Sequence, residues 1–280
     1  MGLLLLALGC GVAGSGPGAG EGETGATAED SAADTAPPDT AGDSGEEVQA
    51  PPYAGMHLLA PLAALGTAEA QAELVSGLAA SRGSLAVNPS DGPGTARDGS
   101  WGALFSAGAA AGVPVVGFVP TEGGARDGDD VARELGRYVA WYDGAGVWLS
   151  TSGASACSAV AAYTEAAGHA DSADADKDAL VVIQSDLDCP ELLDAADVVV
   201  VAAESASAFG ARAARDWMGA ESPERFAAWV WEADAAALPG VFEHARELGI
   251  GHVYVTDAPE AAAFTTLPTY WADEVALIAR

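Results

Sequence analysis

Short runs that are apolar at nearly every position alternate along this chain with stretches whose apolar residues fall three and four apart. Val113–Pro120 is a run of the first kind, VPVVGFVP, rich in β-branched residues and closed by proline. A strand apolar on both faces belongs to a parallel sheet covered by helices. The polar glycine loop TEGGAR follows, and then DGDDVARELGRYVAWY, which has the amphipathic period of a helix. The same unit recurs. Strands are expected at 56–62, 83–89, 113–120, 146–150, 179–185, 197–203, 226–232 and 252–257. Helices are expected at 67–82, 100–111, 128–143, 155–168, 190–195, 207–217, 235–248 and 270–279.

Eight βα units across residues 53–280 match an α/β fold of one (β/α)8 TIM-type barrel. A doubly wound open sheet competes, but no Gly-x-Gly-x-x-Gly turn follows the first strand to favour it. In a barrel the chemistry sits at the C-terminal strand ends. That places Asn88 and Asp91 after strand two, Thr121 to Arg126 (with Glu122) after three, and Ser150 to Ser152 (with Thr151) after four. Asp186 follows strand five, Glu204 six, Glu232 seven and Asp257 eight. This polar, carboxylate-rich set suits a sugar-binding mouth. Trp148 and Trp231 end strands four and seven, where they either stack on sugar rings or fill the core. Asn88 and Asp91 either bind a ligand or hold the NPSDGPG turn. Arg126 either orients an acid or pairs with Asp129 or Asp130. Asp257 reads as a cap for the helix that follows.

Charge narrows the partners. There are 11 basic residues against 41 acidic, a net charge of −30. Nucleic acid is excluded as a partner, because phosphate contacts need clustered Lys and Arg. Docking on anionic lipid through side chains is disfavoured for the same reason. Residues 11–52 hold nine acids and no bases among Gly, Ala, Thr and Pro, so they read as a disordered acidic linker. The first ten residues, MGLLLLALGC, are too short an apolar run to span a bilayer but suit a signal peptide. Leu6-Ala7-Leu8-Gly9-Cys10 has the form of a lipobox, so lipidation is expected at Cys10, although no Lys or Arg precedes the run. The expectation is an exported monomer, anchored to the cell-envelope membrane through Cys10 or secreted.

Cys157 and Cys189 lack CxxC partners and histidines at ligand spacing, so no metal site is expected. They either pair in one disulfide or stay as separate buried thiols. His57 and His252 begin strands on the face opposite the mouth, and His169 and His244 belong to helices or their ends, so none is assigned chemistry. The glycine loops at 91–94 and 123–124 lack the Lys-Ser/Thr of a phosphate loop, and no cofactor is expected.

Three segments carry a family resemblance. HLLAPL with LAVNPSDGPG, AGVPVVGFVPTEGGAR with YVAWYDGAGV, and GHVYVTDAPE with LPTYWADEV resemble the spherulin-4 (spherulation-specific family 4) proteins in order and spacing. The resemblance spans roughly residues 56–278. It implies a glycoside hydrolase-like barrel whose relatives cleave galactosamine-containing polysaccharide with a pair of carboxyl groups. It also implies an adjacent Asp-Glu pair at the end of strand four, in a pattern like GIFFDE. This chain has Gly146-Val147-Trp148-Leu149-Ser150-Thr151, with hydroxyls in both places. Strand five departs too: Gln184-Ser185-Asp186 stands where the family tends to carry Asn-Pro-Gly. On strand six the family acid maps to Glu204 or, one residue earlier, to Ala203.

Neither Ser nor Thr donates a proton to a glycosidic oxygen at a useful pKa, and loss of general acid–base help alone costs factors of about 10²–10⁴. The chain is therefore expected to bind polysaccharide with its acid pair lost. One alternative is an active hydrolase in which Glu204 works with Asp186 or Glu232. Another is a structural envelope lipoprotein with no ligand.

Overall fold

The computed structural model describes residues 50–144, 146–151, 154, 157–173 and 179–279. The signal-like segment, Cys10 and residues 11–49 of the acidic linker lie outside the described residues. Eight strands form a closed, all-parallel barrel: β1 (His57–Leu62), β2 (Ser84–Val87), β3 (Val115–Val119), β4 (Gly146–Ser150), β5 (Leu180–Gln184), β6 (Val198–Ser205), β7 (Phe226–Trp231) and β8 (His252–Val255). Each pairs with its sequence neighbour, and β8 returns to β1 through His57↔His252 and Leu58↔Val253. All eight strands lie where the apolar runs place them. No helix among the described residues is long and apolar enough to cross a membrane.

The helices are α1 (Ala68–Ala80), α2 (Gly99–Ala111), α3 (Gly128–Tyr142), α4 (Val160–Ala173), α5 (Ala206–Phe209), α6 (Leu238–Glu247) and α7 (Trp271–Ile278). α3 shows why the pattern works. Asp127 caps its first turn by accepting from the Asp129 N–H, and Val131, Leu135, Tyr138 and Tyr142 bury one stripe. That stripe seats on β3 because Gly117 has no side chain: a Cβ there would lie 2.3 Å from the Tyr138 ring. The Tyr138 hydroxyl donates to the Phe118 carbonyl at 2.9 Å.

Two units depart from the expected pattern. The helix expected at 190–195 is a single 3-10 segment, Pro190–Asp194, and the one at 207–217 is only the single turn of α5 followed by a 3-10 segment at Asp216–Ala220. A disulfide explains part of the first departure. Cys157 and Cys189 are bonded, with Cα atoms 5.6 Å apart, so the chain leaving β5 is held beside the entrance to α4. This settles the open choice between paired and separate thiols. In the second case Arg215, just before the 3-10 segment, reaches back to the loop after β5: its guanidinium donates to the Leu187 and Asp186 carbonyls at 2.9 and 3.2 Å.

Candidate functional site

At the mouth, β4 ends in Ser150 and is followed by Thr151. Thr151 is buried at 2% exposure, and its hydroxyl donates to Ser185 Oγ at 3.2 Å, while its N–H donates to the Gln184 carbonyl at 2.9 Å. Ser185 Oγ in turn accepts from the Leu187 N–H at 3.1 Å. On the other side, Thr121 Oγ1 donates to the Ser150 carbonyl at 2.6 Å, and Tyr163 lies over the same carbonyl at 3.4 Å. The strand-four end is thus a sheet of hydroxyls and main-chain groups knitted to β3 and β5. Both hydroxyl residues lie at the open, C-terminal end of the barrel.

The acids around this centre are dispersed. Glu204, near the end of β6, accepts from Arg212 Nε at 2.6 Å, and both side chains are about one-fifth exposed. Asp186 and Glu232 are exposed. Asp91, Glu122 and Glu232 are held at φ of 50°, 50° and 58°, and all three are exposed. A left-handed conformation is uncommon for Glu, so the loops after β3 and β7 each hold a strained residue.

Other candidates are occupied by structure. Asn88 Oδ1 accepts from the Gly92 N–H at 3.0 Å, which holds the NPSDGPG turn. Arg126 pairs with neither Asp129 nor Asp130. It grips Glu134 with two bonds of 2.9 and 2.6 Å and donates to the Pro120 carbonyl at 2.9 Å. The bond to Glu134, against the opposing effect of partial burial, raises the guanidinium above its ordinary value. The Glu134 carboxylate also abuts Gly92, where a Cβ would lie 3.2 Å from Oε2. The pair therefore ties the β2 loop, the β3 loop and α3 together.

Trp148 is 4% exposed and sits inside the barrel, its ring 4.7 Å from Phe118 and 5.0 Å from Trp229. It is the floor of the mouth rather than an exposed stacking platform. Its indole N–H is buried with no partner among the described residues. Trp231 stays partly exposed at the end of β7. Asp257 does not cap α7. It accepts from the Thr269 N–H and hydroxyl at 3.1 and 2.6 Å, which closes the loop before that helix. Partial burial acts to raise the Asp257 carboxyl, and the Thr269 bonds outweigh it, leaving it below the ordinary value. Cys157, Cys189 and Glu191 bring ligand-type atoms within 4.8 Å of one another, but the two sulfurs are bonded to each other and so are not thiolate ligands.

The family model for spherulation-specific family 4 matches residues 74–278. The chain belongs to spherulation-specific family 4. Among solved structures, the spherulation-specific family 4 chain is similar to Aspergillus clavatus Sph3 in complex with GalNAc, at 18% identity and a TM-score of 0.69. That match covers 81% of this chain and 98% of the other. The Bacillus cereus spore cortex-lytic enzyme SleL is similar at 8% identity and a TM-score of 0.53, covering 81% of this chain and 75% of that one. At these identities the likeness is one of fold. No curated protein matches the chain.

The sequence reading missed two features of this site. The clasp of Arg126 on Glu134 was hidden because the two are eight residues apart across a loop and a helix start. The Thr151–Ser185 contact was hidden because it joins two strands, although adjacency of strands four and five was itself expected.

Proposed function

We propose that this barrel binds an amino-sugar polysaccharide at its mouth and does not cleave it by the two-carboxyl route. The observation that carries this reading is the end of β4. Where the family resemblance implies Asp-Glu, Ser150 and Thr151 stand at the open end, and Thr151 is committed to Ser185. A hydroxyl at an ordinary pKa supplies neither the proton nor the nucleophile that glycosidic cleavage requires. Glu204 is the acid best placed to remain from such a pair, and its carboxylate is engaged by Arg212. Family membership and the similarity to a Sph3 bound to GalNAc support an N-acetylgalactosamine-containing polymer as the ligand.

Export accompanies the proposal. The Cys157–Cys189 disulfide suits an oxidising compartment. The apolar start ending in Cys10 suits a lipid-anchored envelope protein, with the acidic linker as spacer.

The test is incubation of the purified protein with soluble galactosamine-containing polymers, followed by two measurements: retention of polymer and release of reducing ends. Retention without release is expected. Robust release overturns the reading, and Glu204→Gln then decides the mechanism: abolished release assigns Glu204 a part, with Asp186 or Glu232 as its partner, and unchanged release removes it.

A further inference from the structure

We infer that His57, His252 and Glu224 form a site for a borderline transition-metal ion such as Zn²⁺, on the face of the barrel opposite the mouth. His57 and His252 are register partners on β1 and β8, and their rings lie 5.3 Å apart at 35°. Neighbouring parallel strands project such partners to the same side, so the two imidazoles share one small space.

Each ring has one nitrogen tied to a main-chain carbonyl. His252 Nε2 lies 3.0 Å from the Glu224 carbonyl, and His57 Nδ1 lies 3.4 Å from the Ser81 carbonyl. A carbonyl accepts only from N–H, so the protons belong on these nitrogens and the lone pairs on the other two, His252 Nδ1 and His57 Nε2. This is the arrangement by which metal-binding histidines are oriented: one ring nitrogen donates to the protein and the other is left as ligand.

The two lone pairs differ in their surroundings. His252 Nδ1 is buried with no hydrogen-bond partner, and a buried acceptor left unpaired costs stability unless something satisfies it. His57 Nε2 lies 3.8 Å from Glu224 Oε1, so a cation between them would be held from both sides. Two imidazoles and a carboxylate are a donor set suited to Zn²⁺, Ni²⁺ or Co²⁺. The three donors are not all within 4.8 Å of one another in the metal-free arrangement. Glu224 has a side chain 68% exposed.

The position gives the ion a purpose. β1 and β8 are the first and last strands, and only two register pairs close the barrel between them. An ion there would join β1, β8 and the turn before β7 at the seam. The site is independent of the mouth and of any activity there.

The experiment uses the full chain under non-reducing conditions, with Cys10→Ser throughout so that the free thiol does not compete. Zinc chloride is titrated calorimetrically and thermal unfolding is followed with and without it. One Zn²⁺ per chain is expected, with a melting temperature that rises with free metal. Mg²⁺ and Ca²⁺ should not reproduce the rise, which separates the site from the many surface carboxylates. His57→Gln and His252→Gln should each weaken binding at least about tenfold. If His252→Gln fails to fold, His57→Gln and the visible absorption of bound Co²⁺ decide. Absence of stoichiometric binding at micromolar zinc, or affinity unchanged in the folded variants, overturns the inference.

Discussion

Glu274 lies on α7, fully buried, with one oxygen accepting the Val255 N–H at 2.8 Å and the other without a partner among the described residues. The bond caps a main-chain donor on β8 just beyond the point where β8 stops pairing with β1. Burial raises this carboxyl well above the ordinary carboxylate range, and the Val255 bond opposes that only in part. The folded protein therefore keeps a proton that the unfolded chain releases. The sign follows from linkage: the stabilisation is fully present below the unfolded value near 4.3 and is lost as pH rises through the raised folded value. Melting temperatures between pH 7 and 9 should fall with pH, and Glu274→Gln, which keeps an acceptor for Val255 but does not titrate, should flatten the slope; at lower pH His252, pushed down to about 4 by burial, acts in the opposite sense. An unchanged slope would assign the pH dependence elsewhere. The helical spacing marked α7 as a helix, but nothing in it showed that an acid was on the buried side, because TYWADEV offers two neighbouring acids of which Asp273 is exposed.

Between elements, the Cys157–Cys189 bond joins the segment entering α4 to the 3-10 turn after β5, closing a separation of 32 residues. Chain-entropy reasoning assigns a loop of this length about 4 kcal/mol, an upper figure because strain and residual structure reduce it. Reduction, or Cys157→Ser with Cys189→Ser, is expected to lower unfolding stability by about 2–4 kcal/mol. Denaturant midpoints under oxidising and reducing conditions measure it, and coincident midpoints would show that the bond does not constrain the unfolded chain. The cysteines were visible in the sequence and their pairing was one of two open outcomes. Spacing alone could not choose, since the partners meet only when β4 and β5 lie side by side. The same bond sits beside the expected helix at 190–195: its apolar spacing reads as helical, but the segment is a 3-10 turn next to the disulfide, and Arg225 donates to the Leu193 and Ala196 carbonyls at its end.

Across the whole molecule, 11 bases face 41 acids. The arginines near the mouth are already engaged, Arg126 by Glu134, Arg212 by Glu204, and Arg215 by two carbonyls and, at 3.9 Å, Asp188. The exposed acids Asp91, Glu122, Asp186 and Glu232 therefore set the sign of the field a polymer meets. A galactosamine polymer carrying free amines should bind several-fold more weakly as sodium chloride rises from 50 to about 500 mM, because the screening length shrinks from about 14 to about 4 Å over that range. A fully N-acetylated polymer should change little. Equal salt dependence for the two in a retention assay would remove charge from the account.

The sequence alone determined the eight strands, the parallel barrel and the hydroxyls at the end of β4, because a strand buried on both faces must be apolar at nearly every position and its C-terminal end is then marked by the first polar residues. Tertiary structure decided what those polar residues do. A β-bulge between Val200 and Ala202 shifts the register of β6 against β7, so whether Glu204 or Ala203 filled the acid's place was not a property of the local pattern. Arg126, Asp257 and Thr151 found their partners, Glu134, Thr269 and Ser185, across loops and neighbouring strands. Such pairings depend on distances that only a closed barrel creates, and no spacing along the chain encodes them.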